Sequence, residues 1–128
     1  DTSRKEPFVI ESDEPSVLLG TNTGPNAVET ALAALGSCLA VGFAYNAAAR
    51  GINISSLKFT LEGDIDLQGF LGISESVRPG YQNIRVNYRV KSDASREKIE
   101  ELCDYVQKTS PVLDLLQNKV SVTVTMEE

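Results

Sequence analysis

The longest apolar segment of the chain runs from Asn26 to Arg50, and its pattern predicts one long buried helix. Asn26 is a favourable N-cap residue, and Glu29 stands three residues later, at the capping-box position. Arg50 and the following Gly51 provide a C-terminal stop. Polar residues between these ends are rare, so the helix has no polar face. Because a helix that is apolar all round needs cover on every side, we expect it to be fully buried.

After Gly51 the period of the pattern changes to two, which predicts β-strands. One strand covers residues 57–67, with a bulge at Gly63, and a second covers residues 81–91. In both strands apolar and polar side chains alternate, as in a sheet with one buried face. Shorter β-rich segments predict three further strands, at residues 7–13, 17–20 and 120–125.

A loop and two helical segments complete the predicted secondary structure. Residues 68–80 form a loop with an apolar tip, Phe70–Leu71, which we expect the fold or a partner to cover in part. A second helix starts near Ser95 and ends or kinks at Pro111, and a further helical segment covers residues 112–116, stopping near Asn118. The apolar stripe of the second helix consists of Ile99, Leu102, Cys103 and Val106.

The order of these elements predicts an α+β fold, in which an antiparallel sheet packs on a central buried helix and a second helix. We expect one domain over residues 1–128. A domain of this size has too few elements to cover the central helix on all sides, so a homodimer is the natural solution.

Composition narrows the classes of function. The formal net charge of −6 argues against nucleic acid or an anionic membrane as a partner. The chain has no His, which removes Ser-His and Cys-His catalysis and nearly all transition-metal sites, so we expect no metal and no cofactor. Two Cys and no signal-like N-terminus favour a reducing, cytoplasmic setting. The sequence opens at Asp1 without a Met, so we expect an N-terminal segment to be processed or missing.

The apolar helix has two plain interpretations. It is about long enough to cross a membrane, but it is rich in Ala and lacks the Leu, Ile and Phe content that drives insertion. We therefore favour a core helix and no membrane contact. Cys38, in its middle, is then either a small buried hydrophobic residue or a reactive thiol, and the spacing alone favours the first.

Several motifs resemble the osmotically inducible protein C and organic hydroperoxide resistance (OsmC/Ohr) family, and the resemblance covers nearly the whole chain. They are Gly24–Glu29 running into Leu32–Ala40, with Asp13–Pro15 upstream, Gly69–Gly72 and Arg78–Gly80 in the loop, and Ser110–Leu113 downstream. The resemblance is to the OsmC-like branch. It implies an intertwined homodimer with two active sites at the interface, and reduction of organic hydroperoxides by a helix thiol.

The resemblance assigns roles to three residues. Cys38 stands at the position of the attacking thiol, which becomes a sulfenic acid. Ser110 stands where the family has the resolving Cys, and a hydroxyl cannot form a disulfide. Cys103 lies seven residues before Ser110, about 10 Å along a helix axis, so it resolves Cys38 only if its own position is close. We expect Cys103 to be a core residue instead.

The residues that activate the thiol in the family are not all matched in this sequence. The family uses an Arg from the N-terminal region, held by a Glu early in the helix, and Arg4 is the only Arg before this helix. The family's Glu position is occupied by Val28. Glu29 lies nine residues before Cys38 and faces the opposite side of an ideal helix, so a capping role is expected for it. Other cations, Arg78, Arg85 and Arg89, are expected to be solvated.

Three hypotheses of function follow. The first is thiol-dependent hydroperoxide reduction in oxidative stress defence, with Cys38 attacking, a dithiol as reductant, and turnover limited because Ser110 replaces the resolving Cys. The second is a non-catalytic dimeric binding protein for a small lipophilic ligand. The third is a structural dimer without a ligand. Ser110 and the missing Glu favour the second, and the motif around Cys38 favours the first.

Overall fold

The computed structural model describes residues 1–128 as an α+β chain. A short 3-10 helix, Ser16–Leu18, precedes the long helix α1, Ala27–Ala49. Strand β1, Ile54–Ile65, leads through the one-turn helix α2, Leu67–Phe70, into strand β2, Tyr81–Ser92. Helices α3, Arg96–Thr109, and α4, Pro111–Gln117, follow. The predicted class and the order of its main elements are therefore confirmed.

The chain divides into two compact units, residues 1–31 and 32–128. The expectation of one domain over the whole chain stays a prediction. In the first unit, the carboxylate of Asp13 organises the loop before α1. It accepts hydrogen bonds from the backbone N–H groups of Glu14, Thr21 and Thr23 at 2.7–3.1 Å, and from both threonine hydroxyls. The Thr21 hydroxyl, followed by the other donors, holds the pKa of Asp13 well below its usual range.

Helix α1 begins as the capping box predicts. The Asn26 N–H donates to Glu29 Oε1 at 3.1 Å, and the Glu29 N–H donates to Asn26 Oδ1 at 2.9 Å. The helix ends at Ala49, and Gly51 adopts a φ of 66°, which a residue with a side chain rarely does. The sequence therefore placed this helix to within a residue at each end.

The single chain does not cover α1 on all sides, as expected for a domain with so few elements. One face is buried, through Leu35, Leu39, Phe43 and Ala47, which recur every fourth residue and so share one side of the helix. On another face Val41 is 51% exposed and Tyr45 is 75% exposed. The reason is that the chain covers α1 with a sheet of two strands and with α3, which is enough for one face only.

Strands β1 and β2 pair antiparallel along their whole length, with Phe59 opposite Tyr88 and Leu61 opposite Val86. Their inner side chains pack on the core of α1 and α3. Phe43, Phe59 and Tyr88 form an aromatic cluster, with ring centroids 5.4–6.0 Å apart. The predicted alternation is confirmed. The pairing has two register shifts, one between Ile54 and Ser56 and one between Asp64 and Ile65, just after the bulge predicted at Gly63.

Four local predictions differ from the structure. Residues 7–13 and 120–125 form no strand, and residues 16–18 form a 3-10 helix rather than a strand. A strand is defined by a ladder of hydrogen bonds, and no neighbouring strand offers one to these segments. The loop 68–80 begins inside α2, because the carboxylate of Asp66 caps the Gln68 N–H.

Candidate functional site

Cys38 lies on the side of α1 that faces the break between α3 and α4. Pro111 causes this break, because it cannot continue α3 but fits the first position of a new helix. Ser110 is left between the two helices with an extended backbone, and it is 4% exposed. The break therefore turns a buried hydroxyl toward α1.

The closest polar neighbour of Cys38 is this hydroxyl. Cys38 Sγ and Ser110 Oγ are 3.0 Å apart, within hydrogen-bond distance. Ser110 Oγ also accepts the backbone N–H of Leu113 at 3.2 Å, as the N-cap of α4. Because that N–H uses one of its lone pairs, the hydroxyl hydrogen is free to be donated to the sulfur. The two residues that the sequence singled out, 72 positions apart, are thus in direct contact.

An open cleft of about 570 Å³ adjoins this pair, between α1 and the α3–α4 break. No charged side chain lines it. Sequence analysis did not assign most of its lining residues to the site, among them Tyr45 and Asn46. Tyr45 lies seven positions after Cys38 on the helix, so the period of α1 was a signal that could have found it. The cleft combines an apolar wall with hydroxyl and amide groups, which suits an amphipathic organic molecule.

Cys103 belongs to a different cavity. That cavity measures about 300 Å³, and the aromatic cluster forms part of its wall. The Gln107 amide donates to Cys103 Sγ at 3.4 Å. Burial and a hydrogen bond to Cys103 raise the pKa of Tyr88 to about 12. Both thiols are free, and Cys103 packs against the core, as expected. Cys103 is therefore not placed with Cys38 and Ser110.

The two residues considered for activation have other contacts within the first unit. Glu29 forms the capping box with Asn26, which confirms its expected role. Arg4 Nε lies 3.9 Å from Asp1 Oδ2, and its guanidinium lies 5.1 Å from the ring centre of Phe8. No group of three or more His, Cys, Asp or Glu residues is arranged to hold a metal ion.

Helix α1 is long and apolar enough to cross a membrane by length and composition, a test that the core helix of a soluble protein also passes. The buried face of α1 packs on the inner face of the β1–β2 sheet and on α3. One face of α1 is therefore part of the core.

A two-stranded antiparallel sheet on a long central helix, with a thiol at the break between two further helices, defines the class of this protein. The chain belongs to the OsmC-like protein family, whose sequence model matches residues 20–125. No functionally curated protein matches the sequence. The family match over residues 20–125 confirms the predicted family membership.

Solved structures agree in fold. An OsmC-like protein from Mycoplasma pneumoniae has a TM-score of 0.70 and 24% identity, over 88% of this chain and 77% of that chain. An OsmC-like protein of unknown function from Vibrio cholerae has a TM-score of 0.66 and 14% identity, over 82% and 68%. An organic hydroperoxide resistance protein from Legionella pneumophila has a TM-score of 0.65 and 13% identity, over 84% and 73%. At these identities the likeness shows the fold.

Proposed function

We propose that this protein reduces organic hydroperoxides with Cys38 as the attacking thiol, and that it acts in oxidative stress defence. The observation that carries the proposal is the 3.0 Å contact between Cys38 Sγ and Ser110 Oγ beside an uncharged cleft. Family membership supports the reaction class, since a relative of the same fold is an organic hydroperoxide resistance protein. The apolar wall of the cleft would hold the organic part of the hydroperoxide.

In the proposed reaction, the Cys38 thiolate attacks the distal oxygen of the hydroperoxide. The S–O bond forms as the O–O bond breaks, and the leaving alkoxide takes up a proton to become the alcohol. Cys38 is oxidised to a sulfenic acid, and the peroxide is reduced by two electrons. The Ser110 hydroxyl, 3.0 Å from the sulfur, would donate to the thiolate and stabilise its negative charge before the attack.

Ser110 also determines how the cycle closes. It stands where a second thiol would form a disulfide with Cys38, and a hydroxyl cannot do so. An external dithiol must therefore attack the sulfenic sulfur and release water, giving a mixed disulfide. Its second thiol then displaces Cys38 as the free thiol. We propose such a dithiol as the reductant, and a cytoplasmic location that keeps it reduced.

The test is intact mass after a stoichiometric dose of cumene hydroperoxide, with and without a sulfenic-acid trap. We expect one added oxygen on Cys38 and capture by the trap. Cys38→Ser should abolish both, whereas Cys103→Ser should leave both unchanged. An unmodified Cys38, or oxidation of Cys103 alone, would contradict the proposal.

A second function is favoured by the lining of the cleft. With no charged side chain around Cys38, the same cleft would suit a binding protein for a small lipophilic ligand. This alternative predicts that Cys38→Ser retains a bound hydrophobic fluorophore while the wild-type thiol stays inert to peroxide. Peroxide-dependent oxidation of Cys38 would decide against a purely binding role.

We further propose that the working form is a homodimer. The support is the exposed apolar face of α1, including Val41 and Tyr45, and the unpaired apolar segments at residues 8–10 and 120–126. Apolar surface of this extent usually has a partner. Analytical ultracentrifugation at micromolar concentration should give a dimer. A monomer would remove any site built at a subunit interface.

A further inference from the structure

The outer face of the β1–β2 sheet has two ends of different electrostatic character. At one end, opposite charges face each other. Glu62 pairs in register with Arg85, whose guanidinium lies 3.3 Å from Glu62 Oε2 and 2.7 Å from Asp64 Oδ2. These contacts raise the pKa of Arg85 and lower that of Asp64. At this end the one cation is paired with two carboxylates, so the end stays acidic.

At the other end, like charges face each other. Lys58 pairs in register with Arg89, and Lys91 follows two positions along β2, opposite Ser56. None of these three cations forms a salt bridge, and all are exposed. We call Lys58, Arg89 and Lys91 the basic patch. Like charges directly opposite on a sheet are destabilising, and their side chains start about 5 Å apart.

This arrangement contrasts with the rest of the chain, which is acidic. The chain has 18 acidic residues and 12 basic ones, so an acidic residue opposite Arg89 would be expected more often than a basic one. The same two strands place opposite charges across from each other at Glu62 and Arg85. Like charges disfavour this arrangement, no carboxylate forms a salt bridge with the basic patch, and an anion bound from outside would supply the missing opposite charge.

The surface here is also concave. An open depression of about 480 Å³ is lined by Lys58, Thr60, Asn87, Tyr88 and Arg89. It brings together an ammonium, a guanidinium, a hydroxyl and an amide, which are all hydrogen-bond donors. A guanidinium binds a phosphate group through two parallel hydrogen bonds, and an ammonium adds a mobile point charge.

The size of the anion follows from the acidic end of the face. Glu62 lies two positions beyond Thr60, about 7 Å along β1, and Asp64 follows it. An extended polyanion running along the strands would meet these carboxylates. We propose that the basic patch is a binding site for a compact multivalent oxyanion, a phosphate or diphosphate group, on the face of the sheet opposite to the core.

Backbone amide NMR of the full-length protein, titrated with inorganic phosphate and with pyrophosphate, tests this proposal. We expect saturable shifts at residues 56–60 and 87–91, with pyrophosphate the tighter ligand. Arg89→Gln should weaken pyrophosphate binding about tenfold, the effect of losing one charged hydrogen-bond pair. Lys58→Gln should weaken it in the same direction. Arg85→Gln is the matched control, because it removes an equal charge from the same face but from the acidic end, where Arg85 is already paired with carboxylates.

The source of the phosphate is distinguished by vesicle sedimentation. Binding to phosphatidic acid vesicles, absent with phosphatidylcholine and lost in Arg89→Gln, supports a lipid headgroup. Binding of pyrophosphate without vesicle binding supports a soluble phosphate compound. The proposal is overturned if no saturable shift appears, or if Arg85→Gln and Arg89→Gln weaken binding equally. It is also overturned if an oligonucleotide or a poly-glutamate peptide binds the patch more tightly than pyrophosphate.

Discussion

The Ser110→Cys substitution should convert the contact with Cys38 into a disulfide. The present Sγ–Oγ distance is 3.0 Å, and a disulfide bond is about 2.0 Å long, so the two side chains need to close by about 1 Å. Ser110 lies between two helices with an extended backbone, and its side chain already contacts Cys38. The oxidised variant should therefore form the bond without moving α1.

The expected gain in stability can be worked out from the chain. The two positions are 72 residues apart, and closing a loop of that length contributes about 4 kcal/mol in the chain-entropy model. The substitution also removes the cap that Ser110 Oγ provides to the Leu113 N–H, which costs about 1 kcal/mol. The net gain of about 3 kcal/mol corresponds to a rise in Tm of roughly 11 °C for a protein of this size.

The assay compares thermal unfolding of the variant with and without a reducing agent. The oxidised form should melt about 11 °C above wild type, and the reduced form a few degrees below it. Intact mass after cumene hydroperoxide should show the loss of two hydrogens, and turnover with a dithiol should exceed that of wild type. The control combines Ser110→Cys with Cys38→Ser, which has the new thiol but no partner.

Two results would refute this reasoning. If the oxidised variant contains a disulfide to Cys103, the observed arrangement of cavities is not the one in solution. If Cys38 stays unmodified in both wild type and variant, the site does not form a reactive thiolate. The binding-protein function would then be the better account of the cleft.

Three further predictions concern the core and the surface. Gly42→Ala places a methyl group 2.8 Å from Val106 Cγ1 and should destabilise the protein by about 1–3 kcal/mol in urea unfolding, whereas Gly36→Ala should cost less, since it meets the end of a flexible leucine side chain. The pKa of Tyr88 is raised to about 12, so the folded state holds the phenolic proton more tightly than the unfolded chain does. The contribution of this proton to the stability of the fold is therefore fully present below pH 10 and is lost as pH rises to about 12. Ultraviolet phenolate titration of wild type and Tyr88→Phe should show this difference, and coincident curves would contradict it. Phe70 and Leu71 are each 53% exposed, and replacing both by serine should weaken dimerisation or ligand retention. If ultracentrifugation and fluorophore binding are unchanged, the tip is a plain surface connection.

The sequence predicted best those elements whose stabilising contacts are local. The capping box of Asn26 and Glu29, the break at Pro111 and the alternation along β1 and β2 all depend on neighbours within a few residues. The unpaired segments at residues 7–13 and 120–125 have the composition of strands, but a strand also needs a partner ladder, which composition does not specify.

The site shows the same division between local and distant information. That Cys38 lies in mid-helix, and that Ser110 precedes a helix-breaking proline, follows from the sequence alone. That the two side chains meet at 3.0 Å depends on how α1 packs against α3, where Gly42 lets Val106 approach closely. The apolar pattern of α1 predicted a helix that one chain is too small to cover, and the single chain covers one face. The exposed side adjoins the cleft at Val41 and Tyr45, so a second subunit that covered it would also close the reaction site from water. Dimerisation and thiol chemistry should therefore fail together when this face is made polar.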